Sequence, residues 1–364
     1  MGRACTSILS MNEHRSDIEA TARLAGQMPK VLLHEHLDGG LRVATLHELL
    51  AGRGLPSPRA SVPALARWFD EQAHAGSLEQ YLAGFGLTVA AMASPAALER
   101  VAFEAAEDAL ADGCVLAEFR IAPLLFEAHG VAAEAAVEAM LTGLRRSALP
   151  SGLIVCAMRH EPPAETARAA RLALRFRDDG VIAYDLAGPE RGYPPGLHAQ
   201  ALRLARDGGL GLTLHAGEAD AAERVLEAAD HGATRIGHGV RLADLFTQQG
   251  GEGVLDRVRA LGLHLEVCPT SNVHTGACPS LAAHPISALW RAGIELSFHT
   301  DNRLMSATTM GAEAANLVRE CGLTLADLTR MTLAAAARSF LPAEARAAAQ
   351  TTVRDWAAGN GVVV

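Results

Sequence analysis

The chain has 364 residues, 49% of them hydrophobic, so it can bury the core of one large domain. Its 32 basic and 41 acidic residues give a net charge of −9. This charge argues against nucleic acid or an anionic membrane as the main partner, because both favour a basic surface. The sequence contains no apolar run of about 18 residues for a transmembrane helix and no signal peptide near its start. None of the six cysteines forms a Cys-x-x-Cys pair, and we predict a cytoplasmic protein with free thiols.

The N-terminal residues 1–28 are predicted to be a poorly ordered leader, with at most a short helix from Ser16. Residues 29–364 are predicted to form a single domain, whose first strand is Lys30–His34. Three helices should follow, because apolar residues recur at helical spacing in each segment. They are Val62–Ala73, Leu78–Met92 and Pro95–Ala111.

From Cys114 onward, apolar runs typical of buried strands alternate with helical patterns. The predicted strands are Cys114–Ala122, Leu153–Met158, Val181–Leu186, Leu210–Leu214, Ala233–Ile236, Leu263–Cys268 and Ile294–Phe298. With the first strand there are eight, each followed by helix, which predicts a parallel sheet. Eight repeats favour an α/β fold of the (β/α)8 TIM barrel type, with extra helices between strands 1 and 2 and at the C-terminus. A doubly wound open sheet is the alternative, since counting strands does not exclude it.

The first strand ends in His34-Glu35-His36. Residues two apart in an extended strand point to the same side, so His34 and His36 share a face. Imidazole nitrogen is a common zinc ligand. A lone His-x-His pair is about as readily a polar turn as a metal site. This pair differs because other predicted strands also end in residues suited to metal binding or acid–base chemistry.

In a parallel barrel the carboxyl ends of all strands form one rim, where catalytic residues lie. Near that rim the sequence places His34, His36, Glu118, Arg120, Gly188, His215, Glu218, His238, Asp301 and Asn302. Several histidines with a carboxylate at one rim are typical of a metal-dependent hydrolase. Glu218 is a candidate acid for the leaving group, and His238 a candidate acceptor for a water proton. Glu118 and Arg120 are interpreted as residues of a structural ion pair inside the barrel.

Six segments of the chain resemble the adenosine deaminase family of zinc-dependent amidohydrolases, and they occur in the family's order. They are Pro29–Gly39, Asp185–Gly188, His215–Glu218, Arg235–Gly239, Cys268–Asn272 and Thr300–Asp301. The resemblance implies a barrel enzyme that hydrolyses adenosine or 2′-deoxyadenosine to inosine or 2′-deoxyinosine and ammonia. It implies a small purine nucleoside as the substrate and leaves the oligomeric state open, so that a homo-oligomer is compatible with the sequence.

The resemblance also implies roles for individual residues. One Zn²⁺ per chain would be bound by His34, His36, His215 and Asp301. Glu218 would protonate purine N1, and His238 would orient the attacking water or take its proton. Because four protein ligands exceed the three that are usual for catalytic zinc, we expect a five-coordinate ion.

On the substrate side, the resemblance implies that Asp38 contacts the ribose 5′-hydroxyl and that the Gly188 backbone N–H contacts purine N3. The chain departs from the family at Asn302, where a second acid is usual, at Pro189, where a polar residue is common, and at His299. We hypothesise that Asn302 donates a hydrogen bond to purine N7, which is an acceptor. Alternatively Asn302 only orients the neighbouring metal ligand. His299 is interpreted either as a rim residue or as a support for the metal site.

Two other functions stay open at this point. One is deamination of another aminopurine or of a modified adenosine metabolite. The other is a zinc-bearing binding protein without activity, although Glu218 argues against it because a structural zinc needs no acid. The sequence lacks the Pro-Cys-x-x-Cys of cytidine-type deaminases and the His-Glu-x-x-His of metalloproteases. The ten remaining histidines, including His264, His274 and His284, are interpreted as surface or satisfied polar residues.

Overall fold

The computed structural model describes the backbone of residues 2–74 and 78–364 and the side chains of residues 15–74 and 84–364. Eight parallel strands pair in chain order. They are β1 (Lys30–Leu32), β2 (Cys114–Ile121), β3 (Ser151–Met158), β4 (Val181–Ala187), β5 (Gly211–Ala216), β6 (Arg235–His238), β7 (His264–Val267) and β8 (Leu296–Phe298). Nearly all side chains of these strands are buried, as in a sheet that is covered on both faces, and they include both apolar and charged residues.

The sheet closes between β8 and β1 at the carboxyl ends of these strands. Glu35 and Asp301 form a parallel bridge, with His36 N–H donating to Asp301 O at 2.8 Å and Asp301 N–H to His34 O at 3.0 Å. Below this bridge, the Leu33 N–H donates to Nδ1 of His299 at 3.1 Å. His299 is therefore a buried residue of the β1–β8 seam. The nearly closed barrel confirms the predicted TIM fold over the open sheet.

Helices surround the barrel and occupy the predicted positions between strands 1 and 2 and at the C-terminus. They are α1 (Gly2–Gln27), α2 (Leu37–Gly40), α3 (Val43–Gly52), α4 (Val62–Ala73), α5 (Leu78–Met92), α6 (Pro95–Ala111), α7 (Ala133–Arg145), α8 (Pro163–Arg175), α9 (Ala199–Asp207), α10 (Glu223–Asp230), α11 (Gly251–Leu261), α12 (Pro269–His274), α13 (Ile286–Arg291), α14 (Met310–Cys321), α15 (Leu325–Arg338) and α16 (Ala343–Gly359). Across the described residues, none of these helices has both the length and the apolar character that crossing a membrane requires.

The N-terminal segment differs from the predicted leader. Helix α1 runs from Gly2 to Gln27, well beyond the short helix predicted from Ser16. Ala22, Ala25 and Met28 are fully buried, and α1 packs against α14. The reason is that these apolar residues recur at helical spacing, which gives the end of α1 one packing face. The single domain over residues 29–364 stays a prediction.

Five charged residues form a network inside the barrel, and all are buried: Glu118, Arg120, Asp185, Arg235 and Glu266. Arg120 donates to Asp185 at 2.9 Å and to Glu266 at 2.6 Å. Arg235 donates to Glu266 at 2.6 Å and to Glu118 at 2.7 Å. Glu118 and Arg120 therefore form structural ion pairs as predicted, but each with another partner. Pairing is what makes the burial of these charges tolerable.

Candidate active site

Three histidines and one carboxylate converge at the carboxyl ends of the strands. One ligand atom each of His34, His36, His215 and Asp301 lies within 4.8 Å of the others. The Nε2 atoms of His36 and His215 are 3.2 Å apart. Asp301 Oδ1 lies 3.3 Å from Nε2 of His34 and 3.5 Å from Nε2 of His36. Closure between β8 and β1 puts Asp301 beside the two histidines that follow β1.

Two buried carboxylates orient two of these rings. Nδ1 of His34 lies 2.8 Å from Glu266, and Nδ1 of His215 lies 3.0 Å from Asp185. Burial opposes the charge on Glu266, but Arg235 and Arg120 hold its pKa well below the usual range. Burial likewise opposes the charge on Asp185, whose pKa His215 and Arg120 lower. An ionised carboxylate only accepts, so each ring carries its proton on Nδ1 and presents an Nε2 lone pair to the common centre.

These residues fit a metal ion. Nε2 of His34 is buried and has no hydrogen-bond partner among the described residues. A buried lone pair without a donor is costly, and here it faces other nitrogens and a carboxylate rather than a donor. A cation at their centre would satisfy all four groups at once. Imidazole nitrogen with one carboxylate oxygen is a donor set that zinc accepts.

The backbone at the site is unusual, and two glycines allow close approach. His238 and Asp301 have φ of 66° and 61°, in the left-handed region that non-glycine residues rarely occupy. A Cβ on Gly237 would lie 2.9 Å from a carbon of the His34 ring, and one on Gly39 would lie 1.9 Å from Oδ1 of Asn302. Unfavourable backbone conformations of this kind persist only where the surrounding structure stabilises them, and they are frequent at functional sites.

The candidate acid Glu218 lies in the loop after β5, beside the histidine group. Its Oε1 accepts from the Thr275 hydroxyl at 3.0 Å, and its Oε2 is 3.6 Å from Nε2 of His238. The His238 ring is buried, with its centroid 4.9 Å from that of His34. The Glu218 side chain is 21% exposed while that of His238 is 1% exposed. Glu218 is thus the group of the two that a bound molecule can approach from solvent.

The residues predicted to contact substrate lie on two sides of this group. Asp38, in α2, is buried, and burial raises its pKa to about 7. Asn302 lies against Gly39, next to Asp38. Gly188 follows β4 with a φ of 92°, beside Met158 and His160. Their contacts with substrate stay predictions.

Comparison with known proteins agrees with this geometry. The family model described as adenosine deaminase matches residues 29–356. The chain belongs to the adenosine deaminase family. Membership confirms the resemblance seen in the six sequence segments and makes the chain an aminohydrolase.

Relatives and solved structures that are similar to this chain include deaminases and a zinc-bound amidohydrolase. The adenosine deaminase of Mycobacterium tuberculosis (strain ATCC 25618 / H37Rv) is 44% identical over 344 residues, covering 90% of this chain and 93% of the relative. The adenine deaminase of Arthrobacter aurescens has a TM-score of 0.82 at 23% identity, over 91% of this chain and 99% of that one. An amidohydrolase of Burkholderia ambifaria with bound Zn has a TM-score of 0.80 at 25% identity, over 93% and 94%. The first of these structures supports the fold alone.

Sequence reasoning missed several residues that support the candidate site, among them Glu190, Glu266 and Thr275. Glu190, buried in the loop after β4, accepts the backbone N–H of Gly217 at 2.5 Å. Its other oxygen accepts the N–H groups of Glu218, Ala219 and Asp220 at 3.1, 2.8 and 3.0 Å. Glu190 therefore holds the loop that carries Glu218. The only signal in the sequence was an acid two residues after Gly188, at a strand's carboxyl end.

Proposed function

We propose that this chain catalyses the zinc-dependent hydrolytic deamination of adenosine and 2′-deoxyadenosine to inosine or 2′-deoxyinosine and ammonia. The observation that carries the proposal is the group of three histidines and Asp301 with Glu218 beside it, a metal donor set next to an acid. The 44% identical relative named adenosine deaminase supports the choice of substrate. The zinc-bound neighbour supports the choice of metal.

In this proposal one Zn²⁺ per chain is held by His34, His36, His215 and Asp301. When bound, the ion lowers the pKa of water so that a nucleophile is available near neutral pH. Glu218 holds a proton for purine N1, which makes C6 more electrophilic toward the attacking oxygen. The hydrogen bond from Thr275 holds the Glu218 carboxyl toward the site. The attacking water supplies both protons of the net reaction: one restores the proton on Glu218, and the other passes to the exocyclic nitrogen. The bond from C6 to that nitrogen then breaks, and the nitrogen leaves as ammonia.

The remaining site residues are proposed to select a nucleoside. Asp38 accepts from or donates to the ribose 5′-hydroxyl, which its raised pKa of about 7 permits. When ionised it would repel a 5′-phosphate. The Gly188 N–H is proposed to bind purine N3, and the Asn302 amide purine N7. A cytoplasmic location and a homo-oligomer remain predictions.

Two alternatives compete with adenosine. The first is another aminopurine, such as adenine, or a modified adenosine metabolite; the similar barrel of an adenine deaminase is 23% identical and supports only the fold, so it does not favour adenine. A metal-binding protein without activity is disfavoured, because a purely structural metal needs no acid such as Glu218 held at its side.

A substrate panel decides between these functions. We expect zinc-loaded protein to turn over adenosine and 2′-deoxyadenosine with the highest kcat/KM, measured as the change in purine absorbance and as ammonia released. Adenine and AMP should be poorer, and the variant Asp38→Asn should narrow the gap between AMP and adenosine by removing the charge. AMP or adenine turned over as well as adenosine by the wild type would contradict the proposed substrate. No turnover of any aminopurine would contradict the proposed enzyme.

A further inference from the structure

A chain of hydrogen bonds leads from the backbone of α13 to the active site. The Ile286 N–H donates to Nδ1 of His284 at 3.1 Å. Nε2 of His284 lies 3.3 Å from Oδ1 of Asn272. Nδ2 of Asn272 lies 3.1 Å from Nδ1 of His238. All three side chains are buried, so His284 is a satisfied polar residue, which is one of the two predicted possibilities, and not a surface residue.

The first link fixes the direction of the whole chain. A backbone N–H can only donate, so Nδ1 of His284 must accept. Burial lowers the pKa of His284 to about 3, so the ring is neutral near pH 7 and its single proton is on Nε2. That N–H donates to Asn272, so the amide oxygen must face His284. The amide nitrogen, which can only donate, then faces His238.

The same argument fixes the proton on His238. Its Nδ1 accepts from Asn272, so a neutral ring carries its proton on Nε2. Nε2 is the atom that faces Glu218, at 3.6 Å, and the ring lies beside that of His34. We infer that His284 and Asn272 are positioning residues that hold His238 in the Nε2–H tautomer.

This tautomer decides between the two roles left open for His238. A ring with its proton on Nε2 can donate a hydrogen bond to the attacking oxygen and hold it in place. The same nitrogen has no lone pair with which to take the proton of that oxygen. The mechanistic consequence rests on the proposed deaminase function, whereas the tautomer itself does not depend on that function.

The tautomer can be measured without turnover. Zinc-loaded protein labelled with ¹⁵N-histidine is examined by NMR near pH 7, and the His238 signals are assigned by their loss in a His238→Asn variant. We expect a protonated, pyrrole-type Nε2 and an unprotonated, pyridine-type Nδ1. A protonated Nδ1, whether in the other neutral tautomer or in an imidazolium, would overturn the inference.

Substitution of Asn272 by Asp reverses the polarity of the chain with little change of shape. An ionised carboxylate only accepts, so Nδ1 of His238 must now donate to it. We expect the Nδ1 signal to become pyrrole-type and kcat to fall roughly 10²-fold, because loss of one hydrogen-bond donor to a reacting oxygen costs about 10²–10³ in kcat. Zinc content should stay that of the wild type, because none of the four proposed ligands is altered. Wild-type signals and kcat in this variant would contradict the inference.

Variants of His284 test whether this residue positions the His238 ring or only stabilises the fold. Gln at this position keeps an N–H donor for Asn272 and should largely retain the His238 tautomer and kcat, whereas Leu should give a mixture of tautomers and a lower kcat. The matched control is His264→Leu, which removes a buried histidine bonded to Ser297 and Glu295. This control should lower Tm and leave the His238 signals unchanged. If His284→Leu behaves like the control, His284 is only structural and the inference is wrong.

Discussion

Replacing Glu190 by Gln tests how Glu218, the proposed acid, is held. The carboxylate of Glu190 accepts one N–H on one oxygen and three on the other, from residues 217–220. Gln has nearly the same shape but only one acceptor oxygen. We expect the Gln oxygen to take the position where it accepts the three N–H groups of residues 218–220. The NH₂ group then faces the N–H of Gly217, a donor against a donor.

The expected cost follows from these contacts. An unsatisfied buried donor at Gly217 costs about 1–3 kcal/mol. Each of the other three bonds changes from a charged to a neutral acceptor, a loss of roughly 1 kcal/mol each. Together these effects amount to about 4–6 kcal/mol if the loop keeps its position. If the loop relaxes instead, less stability is lost but Glu218 moves, and kcat falls.

Urea unfolding and steady-state kinetics on zinc-loaded protein measure both effects. The control is Glu127→Gln, which breaks a surface ion pair with Arg168 worth about 0–1 kcal/mol. We expect Glu190→Gln to lose several kcal/mol of stability, or roughly tenfold or more in kcat, at unchanged metal content. If Glu190→Gln is as stable and as active as the control, Glu190 does not hold the loop of the acid.

Three further predictions test other parts of the site. Glu218→Gln should keep its metal but lose about 10²–10⁴ in kcat; near-normal kcat with bound metal would refute Glu218 as the acid. 7-Deazaadenosine, which has C–H in place of N7, should lose about 1–3 kcal/mol in kcat/KM if Asn302 donates to N7, and processing equal to that of adenosine would show that it does not. His284, with a folded pKa of about 3 against 6.5 unfolded, contributes stability that is complete above pH 6.5 and lost as pH falls toward 3. The unfolding free energy of the wild type should therefore fall by about 1.4 kcal/mol per pH unit more steeply than that of His284→Gln over this interval, and parallel profiles would mean that His284 is not held neutral.

The fold could be predicted because a buried parallel strand has a local signature. Each strand appears as a short apolar run between helical patterns, and the fourth, predicted at Val181–Leu186, is Val181–Ala187 in the structure. The closure of the barrel was not encoded in this way. It depends on contacts between distant residues, such as Leu33 with His299, that no local pattern specifies. The packing of α1 was missed because its buried face contains alanines such as Ala22 and Ala25. In an alanine-rich chain, buried and exposed alanines look alike in the sequence.

The candidate site likewise contains some residues that could be predicted from sequence and others that could not. Residues that follow a strand directly, such as His34 and Asp301, could be placed at one rim from sequence, and the structure brings them together. Glu190 and His284 could not be assigned. Glu190 accepts from Gly217, 27 residues further along the chain, and the Asn272 partner of His284 lies 12 residues before it. In the sequence alone, a buried polar residue with such partners cannot be told from an exposed one.

The most direct test of zinc-dependent deamination is a zinc titration of chelator-treated protein, with the rate of adenosine deamination measured at each step. We expect metal-free protein to be inactive and the rate to rise linearly to a plateau at one Zn²⁺ per chain. A variant with Asp301 replaced by Ala should need far more zinc to reach its own plateau. Full activity in metal-free protein, or a rate that does not respond to zinc, would contradict zinc-dependent deamination by this chain.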